Sequence, residues 1–292
     1  WADPSRSSRI KEVLDEGKKF SLEDMRALQL DLTSNFSKEI LPYILKNAGT
    51  FENPIFKRAI KFLKDWNNIE SIDSEGTLIF HSISNQIIRN IYYDELSVLG
   101  DKYFETFIGL KYITKRNLRN ILRNNTNKWV DDIRTPNKIE TIDEIITKSI
   151  ESGIQKVVDT YGPNWSNWKW GSAHSLTHKH ILGDVKILNY LFNLNIGPYL
   201  SGGSDVTPNA GGYSLLKGFN QTSGASMRRI VDFSDLNKTN MILPTGQSGL
   251  HNSPHYSDQA PLYHEGKYRV TYFDKDYIVS SPDFKHLRLI PK

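Results

Sequence analysis

Apolar side chains recur every three or four positions through most of residues 1–161, which is the period of helices with one buried face. One such stripe starts at the capping box Ser21-Leu-Glu-Asp24 and continues from Leu22 to Ile44, with Pro42 expected to kink or end the helix. Further helices are predicted at Ile55–Trp66, Thr77–Tyr93 and Thr141–Tyr161. Residues 1–161 are therefore predicted to form a helical region.

The pattern changes at Gly162. From Val185 onward, short alternating runs are separated by Gly, Asn and Pro, which is typical of strands and turns. The clearest predicted strands are Ser226–Asp232, Tyr268–Phe273 and His286–Ile290. Residues 162–292 are thus predicted to be a strand-rich region, and the fold class is α+β. The change of pattern does not decide between two domains and two regions of one domain.

Composition narrows the possible chemistry. The sequence of 292 residues has no cysteine, which excludes disulfides, thiolate nucleophiles and cysteine-based zinc sites. A formal net charge of +4 is too small to indicate nucleic acid as a partner, and no apolar run is long enough to predict a membrane span. Because the first residue is Trp1 rather than Met, we expect a processed chain or a fragment.

One segment is strongly basic. Residues 111–128 contain six Lys or Arg and no acidic residue. Lys115, Arg119 and Arg123 lie four apart, which places them on one face of a helix, with apolar residues on the other face. A nucleic-acid site would also need stacking aromatics or a groove-entering motif. We therefore interpret the segment as an amphipathic helix with a solvated basic face.

Three histidines, His174, His178 and His180, lie close together after a tryptophan-rich loop. Such a cluster is compatible with zinc, but the Glu of a His-Glu-x-x-His motif is absent, because Ser175 follows His174. We predict that these histidines bind no metal and belong to a structural or pocket-lining loop that packs the preceding tryptophans.

Two other segments resemble catalytic or anion-binding motifs. Ser248 lies in Gly246-Gln-Ser-Gly249, but the nucleophile elbow Gly-x-Ser-x-Gly needs Gly where Leu250 stands, so a turn serine is favoured. The Gly202-Gly203 and Gly211-Gly212 pairs lack the Lys-Ser/Thr and the helix of a phosphate loop, which favours tight turns. No nucleophile is therefore assigned from these motifs.

A loop rich in turn residues and aromatics, Pro244–Gln259, is expected to be ordered and packed, with His255 and Tyr256 largely buried. It contains Pro244-Thr-Gly-Gln-Ser-Gly249 and Ser253-Pro-His-Tyr-Ser-Asp-Gln259, and Glu265-Gly-Lys-Tyr268 follows. Further motifs, in order, are Trp1-Ala-Asp-Pro-Ser-Arg-Ser-Ser-Arg-Ile10, Ser21-Leu-Glu-Asp-Met25, Gln29-Leu-Asp31, Trp66-Asn67, Ser74-Glu-Gly76, Trp170-Gly-Ser-Ala-His174, Gly224-Ala-Ser-Met-Arg228 and Ile230-Val-Asp232.

In this order and spacing, the motifs resemble the C-terminal part of the large chain of the penicillin acylase (penicillin amidase) family. The likeness covers essentially the whole chain. Met227 is a mild departure, because many relatives have an aromatic residue there. The resemblance implies an N-terminal nucleophile hydrolase with a four-layer αββα core, exported to the periplasm or secreted, and autoprocessed into two chains.

The resemblance also implies how the site works. The family's nucleophile is the first residue of the larger chain, and its own α-amine activates its hydroxyl. An asparagine and a backbone amide hold the oxyanion. This sequence is expected to start downstream of both, since Trp1 has no nucleophilic atom. Arg6 aligns with an arginine that orients the site in relatives, although by sequence alone a surface ion pair is an equal interpretation.

The expected function is that of a C-terminal segment of an amidohydrolase. The complete enzyme would cleave the acyl-amide bond of an N-acylated small molecule: a β-lactam side chain, an N-acyl homoserine lactone or a similar compound. The expected partner is the upstream part of the same precursor, namely the small chain and the N-terminal part of the large chain. No cofactor is expected in this chain, a family calcium site would lie mostly upstream, and residues 1–292 alone are predicted to be inactive. The alternative is a non-catalytic interaction or scaffold module.

Overall fold

The computed structural model describes residues 3–124 and 128–291. Its α-helices are α1 (Ser5–Leu14), α2 (Leu22–Gln29), α3 (Asn35–Lys46), α4 (Pro54–Asp65), α5 (Glu75–Val98), α6 (Asp101–Gly109), α7 (Lys111–Asn124), α8 (Ile142–Tyr161), α9 (Trp170–Ala173), α10 (Lys186–Phe192), α11 (Ala260–His264) and α12 (Lys275–Ser280). Its strands are β1 (Ser175–His178), β2 (Ile196–Leu200), β3 (Gly211–Ser214), β4 (Gly218–Gly224), β5 (Arg228–Ile230), β6 (Thr239–Ile242) and β7 (Arg269–Thr271).

The chain folds into two compact units, each of which is built from several separate segments of the sequence. The first unit takes residues 3–18, 31–124, 128–177 and 198–224, and the second takes residues 19–30, 178–197 and 225–291. Within the described residues, no helix is both long and apolar enough to cross a bilayer.

The core of the first unit forms around α5. This helix of 24 residues is buried on most of its circumference, and it packs most extensively against α8. Close approach of the two helices is possible because Gly153 of α8 lies against the backbone of Ile83, where Ser82 Oγ donates a 2.8 Å hydrogen bond to Gly153 O. The buried side chains at this contact include Ile79, Ile83, Ile87, Ile146, Ile150 and Ile154.

Most predicted helices are confirmed, and their ends have clear local causes. Ser74 caps α5 by accepting a hydrogen bond from the Thr77 amide, and Thr141 starts α8 with a capping box to Glu144. Gly162 ends α8 with a positive φ of 81°, which glycine adopts without a steric penalty.

The prediction of one continuous helical stripe from Leu22 to Ile44 is wrong. The helix is interrupted between α2 and α3. There Asp31 Oδ1 accepts a hydrogen bond from the Thr33 amide, and Ser34 caps the start of α3. These side chains satisfy the backbone in a non-helical turn, which competes with helix continuation. Helix α3 then runs through Pro42 to Lys46, so the proline does not end it.

Two sheets follow the helical part. One has the strand order β2-β1-β4-β3, in which β1 pairs parallel to β4 and β3 pairs antiparallel to β4. The other has the order β5-β6-β7 with antiparallel pairs. Strands β5 and β7 confirm two of the three predicted strands. The third, His286–Ile290, is wrong: the segment pairs with no described strand, and its apolar side chains are exposed.

The contact between α5 and α8 generates a packing prediction. A Cβ at residue 153 would lie 2.8 Å from Ile83 Cα and 2.9 Å from its Cγ1, so Gly153→Ala forces two packed helices apart. We expect the free energy of unfolding to fall by about 1–3 kcal/mol in urea titrations. Gly109→Ala is the matched control, because a Cβ there meets nothing within 4 Å and alanine favours helix. Equal stability of both variants would contradict the packing account.

Candidate active site

Arg6 lies in the first turn of α1, and α1 is held by ion pairs and side-chain hydrogen bonds. Arg9 Nε contacts Asp31 Oδ2 at 2.6 Å, and Asn35 Nδ2 donates to Glu12 Oε2 at 3.0 Å. Arg6 itself is exposed, and it forms no ion pair with any residue that the structure describes. The surface ion pair considered for Arg6 from sequence is therefore not observed.

An open cavity of about 620 Å³ lies beside Arg6, within the first unit. Its walls come from the turn before α1, from α1 itself, from α7 and from the loop between β2 and β3. The lining residues are Asp3, Pro4, Arg6, Ser7, Ile10, Tyr112, Arg116 and Asp205. The sequence assigned a role to Arg6 only. Asp3 lies in the same motif but was given no role, and Arg116 and Asp205 are far away in the chain.

The charges that line the cavity differ in accessibility. Arg6 and Arg116 are exposed and form no ion pair with a described residue. The side chains of Asp3 and Asp205 are only 3% and 2% exposed, and each lies beside a buried cation. The accessible charge of the cavity is therefore positive, which suits it to orient a polar or anionic group.

The basic segment is the reason that these carboxylates can be buried. Lys115 Nζ contacts Asp205 Oδ1 at 2.5 Å, and Arg119 contacts both Asp3 and Glu39. Burial by itself would raise the pKa of Asp205, but attraction to Lys115 and the hydrogen bond from it outweigh burial, so the pKa lies below its ordinary value.

The interpretation of the basic face as solvated is thus wrong for Lys115 and Arg119, which are 1% and 6% exposed. It holds for Arg123, whose side chain is 61% exposed. The signal available in the sequence was spacing: Leu118 and Leu122 follow Lys115 and Arg119 by three residues, which puts all four on one helix face.

His174 has a structural environment in the first unit. It is buried and stacks on Trp170 with ring centroids 4.6 Å apart, and its Nδ1 donates to Phe219 O. Burial lowers the pKa of His174 to about 4, so the ring is neutral at pH 7. The prediction that His174 packs a preceding tryptophan is confirmed.

His178 is placed differently. In the second unit, His178 Nε2 lies 3.2 Å from His264 Nε2. Among the described residues, no group of three or more His, Cys, Asp or Glu side chains is arranged to hold a metal ion. That His174, His178 and His180 bind no metal stays a prediction.

Comparison with known proteins decides the family. Residues 1–279 match the sequence profile described as Penicillin amidase. The chain belongs to the penicillin amidase family. Two similar curated proteins are acyl-homoserine lactone acylases named QuiP. The one from Pseudomonas aeruginosa is 24% identical over 302 residues, covering 92% of this chain and 34% of its own length. The one from Pseudomonas fluorescens strain Pf0-1 is 26% identical over 283 residues, covering 92% and 33%.

The chain spans about a third of the length of these two acylases. A solved structure, the thermostable penicillin G acylase from Alcaligenes faecalis in orthorhombic form, matches with a TM-score of 0.55 at 12% identity. The match covers 99% of this chain and 52% of that one. The predicted α+β class and the N-terminal nucleophile hydrolase fold are confirmed by this likeness.

The family's closing motifs lie in the second unit, in the loop Pro244–Gln259. Ser248 Oγ accepts a 3.1 Å hydrogen bond from the Leu250 amide, which confirms a turn serine. The expected burial of His255 is wrong: its side chain is 70% exposed, because it pairs with Asp258 at the surface. Tyr256 is half-buried, and its hydroxyl donates to Leu194 O.

The two glycine pairs of the chain serve different purposes. Gly203 takes a φ of 75°, a conformation that favours glycine, and donates its amide to the distant Glu70 O. Gly211 and Gly212 instead begin β3, so the turn predicted there is wrong. A side chain at residue 211 would meet His174 Nε2 at 2.9 Å, which explains glycine at that strand position.

The buried ion pair behind the cavity generates the second prediction. Lys115→Met leaves the Asp205 carboxylate buried without its cation, so we expect the free energy of unfolding at pH 7 to fall by about 3–5 kcal/mol. In the wild type the folded pKa of Asp205 is lowered, so its stabilisation is complete above the unfolded pKa of about 3.9 and is lost as the pH falls through the folded value. In the variant the unpaired carboxyl takes a raised pKa, and protonation removes the buried charge. The loss in free energy of unfolding caused by Lys115→Met should therefore be smaller at pH 4.5 than at pH 7.

Urea unfolding at the two pH values measures this deficit. Arg123→Met, on the same helix, removes an exposed ion pair with Glu39 and should cost less than about 1 kcal/mol. A Lys115→Met variant that is no less stable than Arg123→Met would contradict the assignment.

Proposed function

We propose that this chain forms the C-terminal part of a penicillin-acylase-type amidohydrolase, which cleaves the acyl-amide bond of an N-acylated small molecule. The observation that carries the proposal is the placement of Arg6. The arginine that aligns with the family's orienting residue lies on an open cavity, exposed and without an ion pair among the described residues. A guanidinium stays charged at every physiological pH, so it can orient polar groups without titrating.

The nucleophile and the oxyanion asparagine are proposed to lie outside residues 1–292. Amide cleavage of this type needs a hydroxyl or thiol beside a free α-amine that acts as its base. The sequence has no cysteine, and internal serines such as Ser5, Ser7 and Ser8 carry an amide nitrogen where the base should be. The remaining part of the protein would therefore bring its terminal nucleophile to the cavity.

The substrate class follows from the relatives only in outline. The curated relatives are named as acylases of acyl-homoserine lactones, and the structural relative is a penicillin G acylase. N-acyl homoserine lactones are thus the first substrates to test, with β-lactams carrying an acyl side chain as the second. Both have an N-acyl amide whose carbonyl oxygen becomes negative in the transition state, which a positive cavity stabilises.

The role of Arg6 gives the third prediction. In the protein expressed from its natural gene, Arg6→Ala should lower kcat by about 100-fold, since a poorly oriented reacting group costs about that factor. Release of the free amine from an N-acyl homoserine lactone measures the rate. Lys11→Ala is the control, because Lys11 lies on the same helix and outside the cavity lining.

Stability of the Arg6→Ala protein should be within about 0.5 kcal/mol of the wild type, because an exposed side chain away from buried contacts is removed. Wild-type turnover in Arg6→Ala would refute the orienting role. A natural protein that hydrolyses none of the N-acyl substrates would favour the non-catalytic scaffold instead.

The fourth prediction concerns residues 1–292 as a polypeptide by itself. We expect no release of amine from phenylacetyl or long-chain acyl amides, because none of its internal hydroxyls has an adjacent α-amine. The assay is repeated after adding the rest of the protein. Turnover by residues 1–292 that a Ser248→Ala change abolishes would show a self-sufficient serine hydrolase.

A further inference from the structure

Arg119 connects α7 to the first turn of α1 from a buried position. Its Nη2 donates to Ser5 Oγ at 2.5 Å, and its Nη1 lies 3.5 Å from Asp3 Oδ2. Glu39 Oε2 lies 3.2 Å from Arg119 Nε but off the N–H direction, so that contact is electrostatic rather than a hydrogen bond. The guanidinium also lies over the Phe36 ring, 5.3 Å from its centroid.

Ser5 is the centre of this arrangement. Asp3 Oδ1 accepts hydrogen bonds from the Ser5 amide at 2.9 Å and from Ser5 Oγ at 2.5 Å, while Ser5 Oγ accepts from Arg119. Pro4, the residue before α1, offers no capping side chain. Asp3 therefore caps the first turn of α1, where backbone amides have no hydrogen-bond partner within the helix. We refer to Asp3, Ser5 and Arg119 as the N-terminal clamp.

Every member of the N-terminal clamp is shielded from water. Ser5 is fully buried, and the side chains of Asp3 and Arg119 are 3% and 7% exposed. Hydrogen bonds to charged groups in such surroundings are stronger than those at the surface. The clamp thus fixes the backbone at Ser5, and Arg6 is the next residue.

We propose that Arg119 is a positioning residue that acts through Arg6. It does not line the cavity, whereas Arg6 does. By holding the first turn of α1 against α7, it sets the direction in which the Arg6 guanidinium enters the cavity. This inference rests on the proposed function, because Arg6 needs a fixed direction only if it orients the reacting groups.

The chemistry at residue 119 requires arginine rather than lysine. A planar guanidinium holds separate nitrogens in a fixed geometry: here Nη2 donates to Ser5 Oγ, while Nη1 makes a charge contact with Asp3 Oδ2 at 3.5 Å. A lysine ammonium is a single point charge on a flexible stem and cannot reproduce that fork. Arg119→Lys therefore keeps the buried charge but loosens the first turn.

A double-mutant cycle in the protein expressed from its natural gene tests the proposal. Arg119→Lys should lower kcat for an N-acyl homoserine lactone by about tenfold, with a smaller change in KM. The Arg6→Ala/Arg119→Lys double variant should be no slower than Arg6→Ala, within about twofold, because a residue that acts only through Arg6 has nothing left to position. Ser5→Ala, which removes the bridging hydroxyl, should behave like Arg119→Lys and serves if the lysine variant does not fold.

Arg123→Lys is the matched control. Arg123 lies on the same helix and contacts the same Glu39 at 2.7 Å, but its side chain is 61% exposed and it forms no hydrogen bond with Ser5. Its kcat should stay within twofold of the wild type. Additive losses in the double variant, or an equal loss in Arg123→Lys, would overturn the positioning role while leaving the proposed function intact. A wild-type protein without any amidase activity would overturn both.

Discussion

The structure of the cavity depends on the burial of two cations of α7 against carboxylates from distant parts of the chain. A charge inside a protein is expensive unless an opposite charge and hydrogen bonds compensate it. Lys115 is compensated by Asp205, and Arg119 by Asp3, Ser5 and Glu39. Each pair is unfavourable when separated in the interior, so the helix, the loop after β2 and the start of α1 are held in one arrangement.

The same pairing decides the sign of the charge that a ligand would meet. Asp3 and Asp205 line the cavity but are almost inaccessible, and each lies beside a buried cation. Arg6 and Arg116 line it from the solvent side. The buried carboxylates thus hold the walls of the cavity in place, while the exposed arginines supply its positive charge. This division of roles is consistent with a site that stabilises negative charge on a carbonyl oxygen.

Much of the helical architecture could be predicted, because amphipathic periodicity and capping residues are local signals. Helices α4, α5 and α8 lie where the apolar stripes at Ile55–Trp66, Thr77–Tyr93 and Thr141–Tyr161 predicted helices. The break between α2 and α3 was missed, since an apolar stripe continues across it and the competing hydrogen bonds belong to a few side chains.

The candidate site could be predicted only at Arg6, and there through family resemblance. Lys115 and Asp205 are 90 positions apart, and Arg119 and Ser5 are 114 apart. No spacing rule links residues at such separations. The spacing within α7 does, however, place Lys115 and Arg119 on the same face as the buried Leu118 and Leu122. His255 shows the opposite error: an aromatic-rich loop suggested burial, yet an exposed pair with Asp258 satisfies the ring.

We propose that the cavity beside Arg6 is where a nucleophile from outside residues 1–292 is placed. The most direct measurement is a crystal structure of the natural protein after reaction with a sulfonyl fluoride, which labels an activated hydroxyl covalently. The account predicts the label on a terminal residue outside residues 1–292, at the mouth of the cavity lined by Asp3, Arg6, Arg116 and Asp205. A label on Ser248, or on any residue remote from that cavity, would contradict it.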